Sequence, residues 1–293
     1  MTKALWISIL RQINKHTGTH PCNFTTQIIS GGCINETIKL STNHKDYFVK
    51  LNRPARLSMF ERESEGLKTL AASQSIQVPK VICMGIAEQF AYLVLEFITM
   101  SSRGSAEQAG RQLALMHSTI STQYGEMATN YIGSTLQINA SCDSWPRFWQ
   151  QNRLGYQLRL AAKQGYGGKL QSRGERLQEK LPELIGHVPP ASLLHGDLWS
   201  GNLSYLTNGE PIIFDPAVYF GDRETDVAMT ELFGGFPRRF YDAYNEAWPL
   251  EAGYKTRKTL YNLYQILNHL NLFGGGYEQQ AIAMIDQLLA ETG

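Results

Sequence analysis

Residues 193–202, with the sequence LLHGDLWSGN, decide how this chain is interpreted. Two leucines close an apolar run and are followed at once by His195, Gly196 and Asp197, and Asn202 comes five positions after the Asp. A short apolar run of this kind is typical of a buried strand. The stretch therefore places the spacing H-x-D-x-x-x-x-N at the end of a predicted strand.

A second acid follows a second apolar strand. Asp215 closes the segment IIFD, eighteen positions beyond Asp197. Two carboxylates and an amide at adjacent strand ends suit phosphoryl transfer, because one Asp accepts the proton of the attacking hydroxyl while the amide oxygen and the other Asp hold Mg²⁺. Each residue alone is equally typical of a turn, so the prediction depends on the combination.

Upstream, a pair of glycines and a lysine have the character of a phosphate site. Gly31 and Gly32, followed by Cys33, lie in a turn between two β-rich segments, where backbone amides can approach phosphate oxygens closely. An isolated Gly-Gly pair is otherwise a simple hairpin turn. Lys50 ends the next apolar strand, DYFVK, from which its ammonium group can reach toward the same phosphates.

The helix predicted after Lys50 offers a carboxylate to hold that lysine in place. The candidates are Glu61, Glu63 and Glu65. Ser58 and Glu61 fit a capping box, whereas Glu63 shares the inward face with Leu67 and Leu70. Glu63 is therefore the predicted partner.

The chain divides by pattern into two domains. Residues 1–98 carry an amphipathic N-terminal helix, five strand-like segments and one inserted helix, whereas residues 99–293 are mostly helical with three short β segments between 191 and 215. A Ser/Gly connector near 97–104 separates them. The predicted fold class is α+β, with an antiparallel five-stranded sheet in the first domain.

Composition excludes several function classes. The 27 basic and 26 acidic residues give a net charge of +1, which argues against nucleic acid as the main partner. No apolar stretch is long enough to span a membrane, and the N-terminus lacks the apolar core and cleavage site of a secretion signal. The four cysteines fall in no metal-binding pattern, so free thiols and a cytoplasmic location are expected.

The order of these motifs resembles the protein-kinase-like superfamily in its aminoglycoside phosphotransferase branch, with HGD for HRD and FDP for DFG. Longer strings are similar to the fructosamine kinase family, or ketosamine 3-kinases: LLHGDLWSGNL, IIFDPAVYFGDRETDVAMTELFGGF and LYNLYQILNHLNLFGGGY. The shorter strings SGGCINET, YFVKLN, MFERESEGL and NYIGSTLQ agree as well. The resemblance covers about residues 20–290.

This resemblance implies a bilobal kinase-like fold and ATP-dependent phosphorylation of the sugar 3-hydroxyl of ketosamines, free or on protein lysines, in repair of glycation. It gives Asp197 as the catalytic base, Asn202 and Asp215 as Mg²⁺ ligands, and Lys50 with Glu63 as the pair that anchors the phosphates. The adenine is expected against the backbone at Glu96 and Phe97, where the apolar strand LVLEF ends. Asp226 matches an acid that braces the catalytic loop, and His195 is expected to position that loop.

Three residues are candidates for substrate contact. Trp199 either packs on the core or presents its ring to the sugar. His269 belongs to a helix whose apolar stripe, formed by Leu260, Leu263, Tyr264, Leu267 and Leu270, lies opposite to it, so with Asn262 and Gln265 it lines either solvent or the substrate site. Glu224, like Arg223, is either a substrate contact or a local salt-bridge partner. His117 is predicted to be a helix-packing residue.

Cys33 carries a redox hypothesis, because a thiol among amides that face anions is favoured as the thiolate. Its oxidation, to an intermolecular disulfide, would slow ATP binding, so the chain is expected to be a monomer or a redox-sensitive homodimer. Unchanged gel mobility and rate under peroxide would exclude this.

The alternatives are another small-molecule hydroxyl kinase of the same superfamily, of aminoglycoside or choline type, and a nucleotide-binding scaffold without activity. The first is disfavoured for aminoglycosides because the C-terminal helices carry few carboxylates. The second predicts loss of the base or of a metal ligand, and none is missing. A metal-dependent hydrolase built on HGD and FDP leaves the glycine turn and Lys50 unexplained.

Overall fold

The computed structural model describes residues 1–19, 23–29 and 34–292. By the contacts among its residues the chain forms two compact units, residues 1–104 with 204–214, and residues 105–203 with 215–293. The sequence pattern placed residues 99–104 and 204–214 in the second domain, whereas these residues pack with the first unit.

The first unit contains the antiparallel five-stranded sheet. Its strands are β1 (Phe24–Ile28), β2 (Glu36–Thr42), β3 (Asp46–Asn52), β4 (Val81–Ala87) and β5 (Phe90–Glu96), in the spatial order β1-β2-β3-β5-β4. The apolar runs predicted these strands because β3 and β5 lie inside the sheet, where β-branched and aromatic side chains are buried.

Each face of this sheet is covered by one helix. Helix α1 (Lys3–Thr17) packs its apolar face on side chains such as Tyr47, Val49 and Val94. Helix α2 (Leu57–Ala72) packs on the alternate residues of β5, among them Leu93. Because side chains alternate along a strand, Lys50 belongs to the face that α2 covers.

The predicted capping box at the start of α2 is wrong. A 3₁₀ turn at Pro54–Arg56 runs directly into the helix, which begins at Leu57 and has no side-chain cap at Arg56. Ser58 therefore lies inside the first turn of the helix. The fixed φ of Pro54 in the preceding 3₁₀ turn already suits a helix start.

A hairpin from the middle of the chain joins the first unit. It consists of β10 (Leu203–Tyr205) and β11 (Pro211–Ile213). Ser101 N–H donates to the Tyr205 carbonyl over 2.8 Å, and Ile213 N–H donates to the Gln77 carbonyl over 3.0 Å.

The second unit is mostly helical. Its helices are α3 (Ala106–His117), α4 (Trp145–Trp149), α5 (Gly155–Lys163), α6 (Lys169–Ile185), α7 (Glu224–Leu232), α8 (Arg238–Ala247), α9 (Tyr254–Phe273) and α10 (Tyr277–Ala290). A π-helical segment, Gln150–Leu154, joins α4 to α5. The predicted N-cap of α3 is confirmed, because the Ser105 hydroxyl accepts from Gln108 N–H over 3.0 Å.

Two small antiparallel sheets complete this unit. One consists of β6 (Ile120–Ser121), β9 (Ala191–Leu194) and β12 (Tyr219–Gly221), with β9 in the middle, and the other of β7 (Asn130–Ile132) and β8 (Thr135–Gln137). Strand β9 is buried throughout, as its apolar run predicted.

Helix α9 was predicted to have a buried apolar side and a polar side that lines either solvent or the substrate site. Its apolar stripe is buried, but Asn262, Gln265 and Asn268 are buried as well. Neighbouring helices, among them α5, α7 and α10, pack around it, so a polar side chain on α9 does not mark a solvated face. Within the described residues, no helix is both long and apolar enough to cross a bilayer.

Candidate active site

The loop after β9 holds the predicted base beside an amide. Asn202 Nδ2 donates to the backbone oxygen of Asp197 over 2.8 Å and to its carboxylate oxygen Oδ2 over 3.3 Å. His195 Nδ1 accepts from the Asp197 N–H over 3.3 Å. The motif residues of the loop are therefore tied to one another around Asp197.

A buried carboxylate on α7 braces this loop. Asp226 accepts from the backbone N–H of His195 over 2.7 Å and from that of Gly196 over 2.8 Å, one on each carboxylate oxygen. This is the bracing arrangement that the resemblance gave for Asp226. It satisfies two backbone donors that no strand pairing reaches.

His117 extends that brace, whereas the sequence predicted only a helix-packing role for it. Its Nε2 lies 3.2 Å from Asp226 Oδ2, and its Nδ1 lies 2.8 Å from the Tyr244 hydroxyl, to which Arg223 also donates. Burial lowers the pKa of His117, although the Asp226 carboxylate opposes that shift. A histidine within the apolar run LALMH was the available signal, because a buried ring nitrogen needs a partner.

Asp215 reaches the loop by a different route from the predicted one. Strands β9 and β11 belong to different sheets, so the two acids are not at adjacent strand ends. The chain after Asp215 instead continues into β12, which pairs with β9, and Ala217 N–H donates to the His195 carbonyl over 2.8 Å. Asp215 has φ of 56°, a left-handed conformation that Asp tolerates better than most residues.

The carboxylate of Asp197 is electrostatically unusual. Burial, followed by the negative charges of Asp215 and Asp226, raises its pKa to about 7, while the Asn202 hydrogen bond opposes the shift. A carboxylate with a pKa near neutrality is a better proton acceptor than an ordinary one. A cation bound at Asp215 would remove one cause of the shift.

Two glycines have distinct roles in this loop. Gly196 has φ of 82°, and a Cβ there would lie 2.1 Å from the Ala217 carbonyl oxygen. The backbone of Gly201, in contrast, is not left-handed. A Cβ at Gly201 would instead lie 2.3 Å from the Trp199 ring, so this glycine makes room for the indole.

Trp199 begins a row of aromatic rings. Its ring centroid lies 6.4 Å from that of Phe233, which lies 5.1 Å from the imidazole of His269, and the rings of Phe273 and Tyr277 follow. Trp199 is 38% exposed, so it is not a core residue. His269 Nδ1 donates to the Gln265 carbonyl over 2.8 Å, which leaves Nε2 as the acceptor of a neutral ring.

Glu224 is placed as a salt-bridge partner. It is buried and makes a bidentate pair with Arg257, at 2.6 Å to Nε and 3.0 Å to the second guanidinium nitrogen. Arg223 is buried too and bonds to Tyr244 and to the Trp248 and Pro249 carbonyls. The structure therefore favours the structural alternative over substrate contact for both residues.

The first unit contains the lysine pair. Lys50 Nζ lies 2.7 Å from Glu63 Oε1, and both side chains are largely buried. The sequence therefore identified the correct carboxylate, although the reason that reserved Glu61 for a cap does not hold. Gly31, Gly32 and Cys33 lie outside the described residues, so their roles stay predictions.

The end of β5 limits how an adenine could be bound. Glu96 N–H donates to the Lys80 carbonyl over 2.9 Å, and the Glu96 carboxylate accepts from Lys80 N–H. The Phe97 ring lies under the Lys39 ammonium, 4.4 Å from its centroid. An adenine at this position would have to use backbone groups other than the Glu96 N–H.

The donor set around Asp197 fits a hard divalent cation. Asn202 uses its nitrogen in both hydrogen bonds to Asp197, so the amide oxygen takes no part in them. Asp215 is exposed and offers a carboxylate. Amide and carboxylate oxygens are the ligands that Mg²⁺ takes in proteins.

Comparison with known proteins identifies the family. The model of the fructosamine kinase family matches residues 5–291. The chain belongs to this family. A probable ketoamine kinase from Synechocystis is 46% identical over 98% of this chain and 97% of its own. The chloroplastic protein-ribulosamine 3-kinase of Arabidopsis thaliana is 41% identical over 89% of this chain and 81% of its own.

The fold agrees with that membership. A crystal structure from Haemophilus somnus, assigned as a fructosamine-3-kinase, superposes with a TM-score of 0.90 at 30% identity, over 98% of each chain. This fructosamine kinase family member is therefore a phosphotransferase, and the predicted α+β, kinase-like fold class is confirmed.

Proposed function

We propose that this enzyme transfers the terminal phosphoryl group of ATP to the 3-hydroxyl of ketosamines, namely ribulosamine, erythrulosamine and fructosamine adducts, free or on protein lysines. The observation that carries the proposal is the carboxylate of Asp197, tied to Asn202 and raised in pKa, on a loop braced by Asp226. Membership of the fructosamine kinase family supports the choice of substrate.

Asp197 would act as the base. The sugar hydroxyl gives its proton to the Asp197 carboxylate while the hydroxyl oxygen forms a bond to the terminal phosphorus of ATP. The bond between that phosphorus and the oxygen that leaves with ADP breaks. Mg²⁺, held by Asn202 and Asp215, would neutralise phosphate charge. Lys50, fixed by Glu63, would anchor the phosphates, and the bracing of His195 and Gly196 keeps the base in place before the reaction.

The aromatic row supplies the substrate contact in this proposal. The exposed Trp199 ring offers an apolar face to the sugar carbons, and His269 Nε2 offers an acceptor to a hydroxyl. A 3-phosphate is a good leaving group, so the product would decompose and release the amine. The enzyme would thereby reverse glycation, in the cytoplasm if the sequence-based location holds.

Parallel assays of ATP consumption test the proposal. Ribulose-lysine and fructose-lysine are compared with kanamycin and choline, which represent the other hydroxyl kinases of the superfamily. We expect ADP formation with at least one ketosamine and background rates with kanamycin and choline. Turnover of kanamycin or choline without turnover of either ketosamine would establish the alternative function.

Gly201→Ala tests the contact made by Trp199. The new methyl group would displace the indole, and the loss of one aromatic contact should raise the KM for the ketosamine by about 3- to 10-fold. The KM for ATP should change less. Gly167→Ala is the matched control, because a Cβ there meets no atom within 4 Å. An unchanged ketosamine KM in Gly201→Ala would show that the ring position does not matter for binding.

A further inference from the structure

A cation is buried in the second unit, and no acid among the described residues forms an ion pair with it. Arg153 lies in the π-helical segment between α4 and α5 and is fully buried. Its guanidinium lies over the rings of Phe148 and Tyr219, at 4.7 Å and 4.0 Å from their centroids. Among the residues that the structure describes, none of the ion pairs includes Arg153.

Neutral oxygens hold this cation instead. Arg153 donates to the Ile138 carbonyl over 2.6 Å, to the Asn152 carbonyl over 3.1 Å and to Asn139 Oδ1 over 2.8 Å. Its buried Nε has no hydrogen-bond partner among the residues that the structure describes. Burying a charge without an opposite charge is unfavourable. Single π-helical turns within α-helices also occur often at functional sites. Stability alone is a poor explanation for this arrangement.

The hydrogen bonds from Arg153 continue through buried amides. Asn139 Nδ2 donates to Asn130 Oδ1 over 3.1 Å, and Gln137 Nε2 donates to the same oxygen over 2.9 Å. Tyr264 donates to Gln137 Oε1 over 2.9 Å. We call Arg153, Asn139, Asn130, Gln137 and Tyr264 the amide relay.

The amide relay ends on the backbone that follows Asp215. Asn130 Nδ2 donates to the Val218 carbonyl over 2.7 Å, and Gln137 Nε2 donates to the Ala217 carbonyl over 2.9 Å. The N–H of the same Ala217 donates to the His195 carbonyl. The relay therefore holds the residue that joins the Asp215 segment to the Asp197 loop.

The phenol of Tyr264 is influenced by the charges of both Arg153 and Asp197. Burial raises the pKa of its phenol, the charge of Arg153 opposes that rise, and the charge of Asp197 adds to it. The phenol is thus within electrostatic reach of both residues.

We propose that Arg153 is a positioning residue, which acts through the amide relay to hold the backbone at Ala217 and Val218 and so sets the metal ligand Asp215 against Asp197 and Asn202. The proposal rests on the proposed function for the role of Asp215. Hydrogen bonds that orient metal ligands from outside are worth about 10- to 100-fold in metal affinity or activity.

The experiment breaks the amide relay at its Arg153 end and at the end that binds Ala217. Arg153→Met deletes the cation at similar volume, Arg153→Lys keeps the charge without the planar fork, and Gln137→Met deletes the donor to Ala217. Ile285→Val, a buried change on α10 outside the relay, is the control for general loosening. Mn²⁺ binding to the enzyme–ADP complex is followed by electron paramagnetic resonance, and kcat and the ketosamine KM are measured alongside.

We expect Arg153→Met and Gln137→Met to weaken Mn²⁺ binding by about tenfold and to lower kcat, with the ketosamine KM changed by less than about twofold. Arg153→Lys should recover part of the Mn²⁺ affinity. Unchanged Mn²⁺ affinity in both relay variants would overturn the proposal, as would equal weakening in Ile285→Val. A wild-type enzyme that transfers no phosphoryl group to ketosamines would contradict the proposed function, while the Mn²⁺ comparison would still decide the role of Arg153.

Discussion

Asp197→Asn is expected to lower kcat for the ketosamine by about 10³-fold, because an amide cannot accept the proton of the attacking hydroxyl. The main hydrogen bond from Asn202 goes to the backbone oxygen of residue 197, so the loop should keep its conformation in the variant. The KM for ATP should change little. Steady-state kinetics and a thermal unfolding curve are the measurements.

Asp242→Asn is the matched control for this variant. Asp242 is mostly exposed on α8 and lies 3.5 Å from Arg238, so the same chemical change there should leave kcat intact. An Asp197→Asn enzyme that kept most of its activity would refute the assignment of the base. Loss of activity together with loss of the folded state would show that the effect is structural.

Asp226→Asn is expected to destabilise the fold by about 3 kcal/mol and to lower kcat as well. The carboxylate accepts on one oxygen from Gly196 N–H and on the other from His195 N–H, with His117 beside it. An amide offers one acceptor only, so its NH₂ group must face a backbone donor. The free energy of unfolding in urea, monitored by circular dichroism, measures the effect.

The control for the brace is Asp286→Asn, which weakens a partly exposed pair with Arg173 on the surface. Exposed pairs contribute about 0–1 kcal/mol, so the free energy of unfolding should fall by no more than that. If Asp226→Asn lost no more stability than Asp286→Asn and kept its kcat, the loop would not depend on the brace.

The sequence predicted the elements that periodicity and local chemistry determine. The apolar alternation located the five-stranded sheet, and the inward face of α2 identified Glu63 as the partner of Lys50. The motif spacing was sufficient to predict that Asp197 and Asn202 lie close together, because both belong to one short loop. Local patterns report local structure well.

Features that depend on distant partners could not be predicted in this way. Asn130 binds the Val218 carbonyl across 88 positions, and Tyr264 binds Gln137 across 127. Amphipathic periodicity left solvent or the substrate site open for Asn262 and Gln265, and it did not show that neighbouring helices bury these side chains on α9. Likewise, composition does not say which glycine of the loop needs a left-handed backbone, and Gly196 rather than Gly201 has it.

The position of the transferred phosphate decides whether this enzyme is a ketosamine 3-kinase. Ribulose-lysine or fructose-lysine is incubated with ATP and Mg²⁺, and the product is followed by ³¹P–¹H correlation NMR, with Asp197→Asn as the blank. We predict a phosphorus resonance coupled to the sugar H3 that decays to inorganic phosphate as free lysine appears. Phosphorus coupled to a different sugar proton, or ATP converted to ADP and inorganic phosphate with no sugar phosphate at any time, would contradict phosphorylation of the 3-hydroxyl.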